Sequence, residues 1–122
     1  MNRGTAFKWI DRLESGKYKQ GAFQLRRRID HYSSFDYNKD EFCVFGVLAD
    51  FLDSDGWKLD NIFNYNWHRE VFFIKDEILW SKCKFKNKWS SPVIQELSEI
   101  NDGNDQNFCQ CINFIKQFYE VL

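Results

Sequence analysis

A chain of 122 residues that is 43% hydrophobic, with thirteen Phe, five Tyr and five Trp, holds enough apolar material for one domain with its own core. Seventeen Lys and Arg against eighteen Asp and Glu leave a formal charge of −1, which excludes a general nucleic-acid binder driven by phosphate neutralisation. No apolar run approaches the ~20 residues of a membrane span and no signal-peptide pattern opens the chain, so a cytoplasmic protein with Cys43, Cys83, Cys109 and Cys111 reduced and buried is expected.

In chain order, Thr5 can cap a helix over residues 6–15, where Phe7, Trp9, Ile10 and Leu13 recur at helical steps and Gly16 offers a left-handed stop. Between Gly21 and Ile29 the period drops to two, with Phe23, Leu25 and Ile29 alternating against Gln24, Arg26 and Arg28, which predicts a half-buried strand. Residues 30–40 have no sustained period and read as a loop.

The stretch from Glu41 to Asp53 is the longest nearly uncharged run and predicts a buried helix, with Phe42, Phe45, Leu48 and Leu52 stepping by three or four. Gly46 there would let another element approach closely, and residues 53–56 would end it. Residues 57–69 are rich in Asn and aromatics and read as irregular, with a short helical turn around Asp60 to Phe63. Residues 71–74 and 78–89 then read as two strands joined by a tight turn. In the second, Lys82, Lys84, Lys86 and Lys88 alternate with Cys83, Phe85, Asn87 and Trp89, a row that either protects a strand edge or meets an anion, the former being preferred. Ser90, Ser91 and Pro92 start a helix with Val93, Ile94, Leu97 and Ile100 inward, residues 101–104 end it, and Asp105 can cap a last helix carrying Phe108, Ile112, Ile115 and Leu122. The elements add up to one α+β domain, 1–122, of about four helices packed on a small antiparallel sheet of about three strands.

Catalytic motifs are missing. There is no phosphate loop, dinucleotide fingerprint or nucleophile elbow. Cys109 and Cys111 are two residues apart, which on a helix turns them about 200° from one another, so they make a poor zinc pair. Cys43 lies in an apolar run that raises a thiol's pKa. His68 beside Glu70 is the one histidine with company, and surface packing explains it more simply. The sequence therefore predicts no enzyme, no metal and no cofactor.

Charge is segregated along the chain. Residues 3–28 carry eight basic side chains against Asp11 and Glu14, whereas residues 36–60 carry seven acids against Lys39 and Lys58. Such a distribution can steer an anion to one side of a neutral protein. Arginine forks and aromatic faces suit a nucleotide, so Lys17, Tyr18, Gln20, Arg26, Arg28, Trp57 and Lys84 are the candidate ligand residues, with Lys19 and Trp67 nearby in kind. Ordinary solvated faces and a protein interface are the competing explanation.

Trp9, Leu13 and residues 15–20, then residues 42–50, then Ile100, Asn101 and Asp102 with Phe108, Ile112 and Ile115, together resemble a family of small proteins of phage and prophage genomes. The family's core runs approximately F-C-C-L-G-V-L-C-D, with a later L-N-D. The chain departs at Val44, Phe45 and Ala49, and losing two of three cysteines there speaks against shared thiol or metal chemistry. The resemblance implies a viral accessory protein acting in the host cytoplasm. Its matching residues 15–20, Asn101 and Asp102 would be ligand contacts or, preferably, turns and caps.

The expected function is accordingly a non-enzymatic anti-defence protein that sequesters a host nucleotide signal. The alternative is a protein-binding inhibitor of a host defence complex, comparable to an anti-CRISPR, in which the acidic residues 36–60 would mimic nucleic acid. A third, an enzyme using His68 and Glu70, ranks last. A homo-oligomer is compatible with any of them.

Overall fold

A computed structural model describes residues 1–28, 40–64, 67–73, 81–82, 85–86 and 89–122, with the backbone alone described for 60–64 and 67–73. The described residues form an α+β domain in the order α1 (Arg3–Glu14), β1 (Lys19–Gln20), β2 (Arg26–Arg28), β3 (Asp40–Phe42), α2 (Val44–Asp53), a 3-10 turn (Ser54–Gly56), β4 (Lys58–Asn64), β5 (Trp67–Phe73), α3 (Pro92–Asp102) and α4 (Cys109–Phe118). The class and the four helices match expectation. The sheet is wider, five strands in the order β1-β3-β2-β5-β4, and antiparallel except where β1 runs parallel to β3.

The apolar run is the centre of the molecule. Its first residues join the sheet as β3, and Cys43 then caps α2 by accepting the Gly46 N–H through its sulfur. Every residue from Val44 to Asp50 is buried. Gly46 is required by contact, since a β-carbon there would lie 1.7 Å from the Leu25 carbonyl oxygen. α1 covers α2 with Ala6, Trp9, Ile10 and Leu13, and the Trp9 indole donates to the Val44 carbonyl oxygen at 3.0 Å. From α3 and α4 come Ile94, Leu97, Cys111, Ile112, Phe114 and Ile115, with Leu122 beyond.

Several expectations change. α1 begins earlier than predicted because Asn2, not Thr5, is the cap, its side chain accepting the Thr5 N–H at 2.8 Å. Gly16 ends the helix region at φ 72°, as its type suggests. The strand expected over Gly21 to Ile29 shrinks to β2, with Ile29 outside the described residues. Other elements capture the intervening backbone: Asn101 donates to the Gly21 carbonyl, Asp102 accepts the Phe23 N–H, and the Cys43 N–H takes the Leu25 carbonyl. The segment 57–69, expected to be irregular with a helical turn at 60–63, is instead the β4–β5 hairpin with Asn64 in register with Trp67. Ile62, Phe63, Trp67, Val71, Phe72 and Phe73 are strand-favouring types, and the asparagines obscured them.

The strand expected over residues 78–89 is absent where it can be checked. Ser81 and Lys82 are helical, and Phe85, Lys86 and Trp89 lie outside regular structure. Phe85 and Trp89 both pack on Phe45, with ring centroids 6.0 and 5.2 Å away, so burial of these rings rather than alternation sets the local course. Residues 29–39, 65–66, 74–80, 83–84 and 87–88, which include His31, Cys83 and Lys84, lie outside the described residues. No helix among the described residues is long and apolar enough to cross a membrane.

Candidate functional site

The charge segregation along the chain turns out to be the imprint of a strand pair. Antiparallel register sets Arg26, Arg27 and Arg28 opposite Phe42, Glu41 and Asp40. Arg26 donates from Nε and Nη2 to Asp40 Oδ2, both at 2.7 Å, with Arg28 Nε 3.9 Å from Asp40 Oδ1. Arg27 pairs with Glu41, which Lys19 also approaches at 3.9 Å. Four of the basic side chains thus pair with two of the acids, so the charges of the two segments offset one another in part.

Arg26 is also buried among rings. Its guanidinium carbon lies 5.3 Å from the Phe42 centroid and 5.6 Å from that of Trp57. Asp50, buried at the end of the apolar run, accepts from the Tyr18 hydroxyl at 2.7 Å and from the Trp57 indole at 3.0 Å. Tyr18, Arg26 and Trp57 are therefore brought together as predicted, around Phe42, but as a packed cluster whose polar atoms serve one another. Arg28 lies beside it on Asp40. Lys17 stays outside, exposed, with its ammonium 5.8 Å from the Tyr18 centroid. It shares a cleft of about 460 Å³ with Arg12, Tyr18, Asp50, Phe51 and Ser54. Of the expected lysine row, Lys82 pairs with Asp53 at 3.1 Å, and Lys84 lies outside the described residues.

Gln20 belongs to a second polar cluster, and here the segments that carry the family resemblance meet. Its Nε2 donates to Asn101 Oδ1 and Asp105 Oδ2, at 3.2 and 3.3 Å, while its Oε1 accepts the Phe108 N–H at 2.7 Å. Asn101 is buried, accepts the Val44 N–H at 2.9 Å, and donates to the Gly21 carbonyl and Asp102. Asp105, expected to cap the last helix, lies three residues before its N-cap Phe108, yet its carboxylate accepts the Gln110 and Cys111 N–H groups of the first turn. Burial acts to raise the Asp105 carboxyl, but hydrogen bonds from Gln110, Cys111 and Gln20 outweigh it and its pKa is lowered. With donors and acceptors matched, these side chains fasten the starts of α2 and α4 and the end of α3 to β1. They are caps and ties.

The two buried thiols are not activated. Burial pushes Cys43 up to about 12, and burial together with the Asp105 carboxylate raises Cys111. Cys109 is exposed rather than buried, because it opens α4 on the side away from Cys111. His68 and Glu70 fall on β5, where only the backbone is described.

One feature of the surface went unread in the sequence. Phe23, expected inward, has φ 67° and is 79% exposed, its N–H held by Asp102 Oδ1 at 3.0 Å. Alternation alone could not reveal it, since the carboxylate that fixes the turn lies 79 residues further along. Compared with known proteins, the chain matches no family model, no curated protein and no solved structure.

Proposed function

We propose that the protein is a non-enzymatic accessory protein that works by docking on another protein, with Phe23 as its anchor. The observation that carries this reading is the left-handed backbone of Phe23 combined with its exposure. A lone exposed ring needs no explanation. A bulky residue held at positive φ costs on the order of 1–3 kcal/mol, and such strain clusters at binding sites. At Phe23 that cost brings little burial, and within the fold it is set only against the hydrogen bond to Asp102. Aromatic anchors of this kind supply a large share of binding energy at protein interfaces. The resemblance to phage and prophage proteins makes a host protein the target, and an inhibitor of a defence complex the biological role. Affinity-tagged protein expressed in host cells should recover a stoichiometric partner, and Phe23→Ala, with an unchanged melting temperature, should not. Equal recovery by the two forms would sink the reading.

A second reading, sequestration of a nucleotide signal, is favoured by the cleft where Arg12 and Lys17 stand over the Phe51 and Tyr18 rings. It ranks lower on physical grounds. The cleft lies at the C-terminal ends of α1 and α2, where helix dipoles repel anions, and Asp50 lines it. Calorimetry with cyclic and ADP-ribose-type nucleotides tests it: heat of binding that is lost in Lys17→Ala supports sequestration, and a flat response across the panel removes it.

A further inference from the structure

Phe23 does not stand on a neutral surface. It lines a groove of about 550 Å³ together with Gln95, Ser98, Glu99 and Asp102 of α3. α3 carries Glu96, Glu99 and Asp102 and no lysine or arginine. Steps of three residues make these carboxylates neighbours on the helix surface, where like charges repel. The last sits among the helix's terminal carbonyls, which already concentrate negative charge, and no basic residue occupies that turn. Among the described residues no cation forms an ion pair with any of the three, whereas Glu14 and Asp53 each have one and Asp40 and Glu41 two. Asp102 joins the two features: the carboxylate that fixes the Phe23 amide also lines the groove.

We infer that the partner docked by Phe23 presents a basic surface with an apolar socket, so that the ring enters the socket while lysine or arginine side chains fill the groove against Glu99 and Asp102. This rests on the docking reading above and adds the chemistry of the partner. Charge complementarity carries it. An aromatic anchor with carboxylates along one side is matched by a cationic rim, and a phosphate-bearing surface would be repelled. Proteins whose own ligand is a nucleic acid commonly offer such a rim.

The test replaces Phe23 with the photo-crosslinker p-benzoylphenylalanine and irradiates the protein in bacterial lysate that heparin has separated into retained, basic proteins and flow-through. Adducts should concentrate in the retained fraction. They should fall on the order of tenfold when Glu96→Lys and Glu99→Lys are combined, with the melting temperature as a check on folding, and should weaken as salt is raised. Adducts found mainly in the flow-through, adducts indifferent to charge reversal, or adducts only to a second copy of this chain would overturn the basic partner while leaving docking intact. Absence of any adduct in both fractions would overturn docking as well.

Discussion

Two phenylalanines in this protein share the left-handed backbone conformation and an amide held by a side-chain oxygen, and differ in where the ring goes. Phe108, at φ 59°, precedes α4, gives its N–H to Gln20 at 2.7 Å and is 1% exposed. Phe23, at φ 67°, gives its N–H to Asp102 at 3.0 Å and is 79% exposed. At Phe108 the strain is offset by a ring inserted into the core, whereas at Phe23 a similar strain ends in a ring in water. The same contrast runs through the charges. The arginines of β2 are matched by the acids of β3, while the carboxylates of α3 have no cation among the described residues. Where the chain satisfies itself it is building the fold, and where it leaves a cost standing the proposed docking is what would offset it.

The largest effect should come from the buried phenylalanine. Phe108→Ala removes the ring and keeps the strain, and should cost about 3–5 kcal/mol in urea unfolding, whereas Phe23→Ala should leave stability within about 0.5 kcal/mol. Similar losses at both positions would erase the distinction between the two rings. On the ionic side, Arg26→Ala strands the buried Asp40 carboxylate and should cost about 3–5 kcal/mol, with Arg28 as the nearest remaining cation. Arg26→Met, which fills the same space without charge, should be less damaging if combined with Asp40→Asn than when made alone.

A smaller effect belongs to the cap of α4. Asp105→Ala should cost about 1 kcal/mol at neutral pH, through the lost acceptors for Gln110 and Cys111. The pKa of Asp105 is lowered in the folded protein, so its charged form stabilises the fold. That contribution is complete above the unfolded carboxyl value near about pH 4 and is lost as pH falls through the lower folded value. The gap between wild type and Asp105→Ala should therefore hold steady from neutral pH down to that point and narrow below it. A gap unchanged in acid would mean that shape rather than charge is what the cap supplies.

How much of this was legible depended on the range of the interaction that decides each feature. The buried helix, the requirement for glycine at Gly46 and the Ser91–Pro92 helix start follow from local spacing and residue type and appear, although the Ser91 hydroxyl makes no capping hydrogen bond and Asp105 serves α4 from three residues before its N-cap. The β4–β5 hairpin was obscured because its strands are interrupted by asparagines whose type usually signals loops. The nucleotide residues were chosen for type, and type was right about proximity: Tyr18, Arg26 and Trp57 do meet. What spacing could not reveal is that Asp40 and Asp50 arrive from elsewhere in the chain to occupy their polar atoms. The acidic face of α3 was readable, since Glu96, Glu99 and Asp102 recur at three-residue steps, but the inner stripe of Ile94 and Leu97 is the stronger signal in the same segment.

The most selective probe of the contrast is the substitution that separates strain from the ring. Phe23→Gly removes the β-carbon that makes a left-handed backbone costly, at the expense of a more flexible unfolded chain, so the protein should gain about 0.5–1 kcal/mol in stability. The mirror change, Phe108→Gly, also relieves strain yet should remain strongly destabilised, because the lost core contacts outweigh the relief. A stabilised Phe23→Gly that no longer recovers its partner would show that the native residue is kept against the interest of the fold. A destabilised one would mean that the ring packs in a way its exposure conceals, and the anchor would have to be sought elsewhere on the surface.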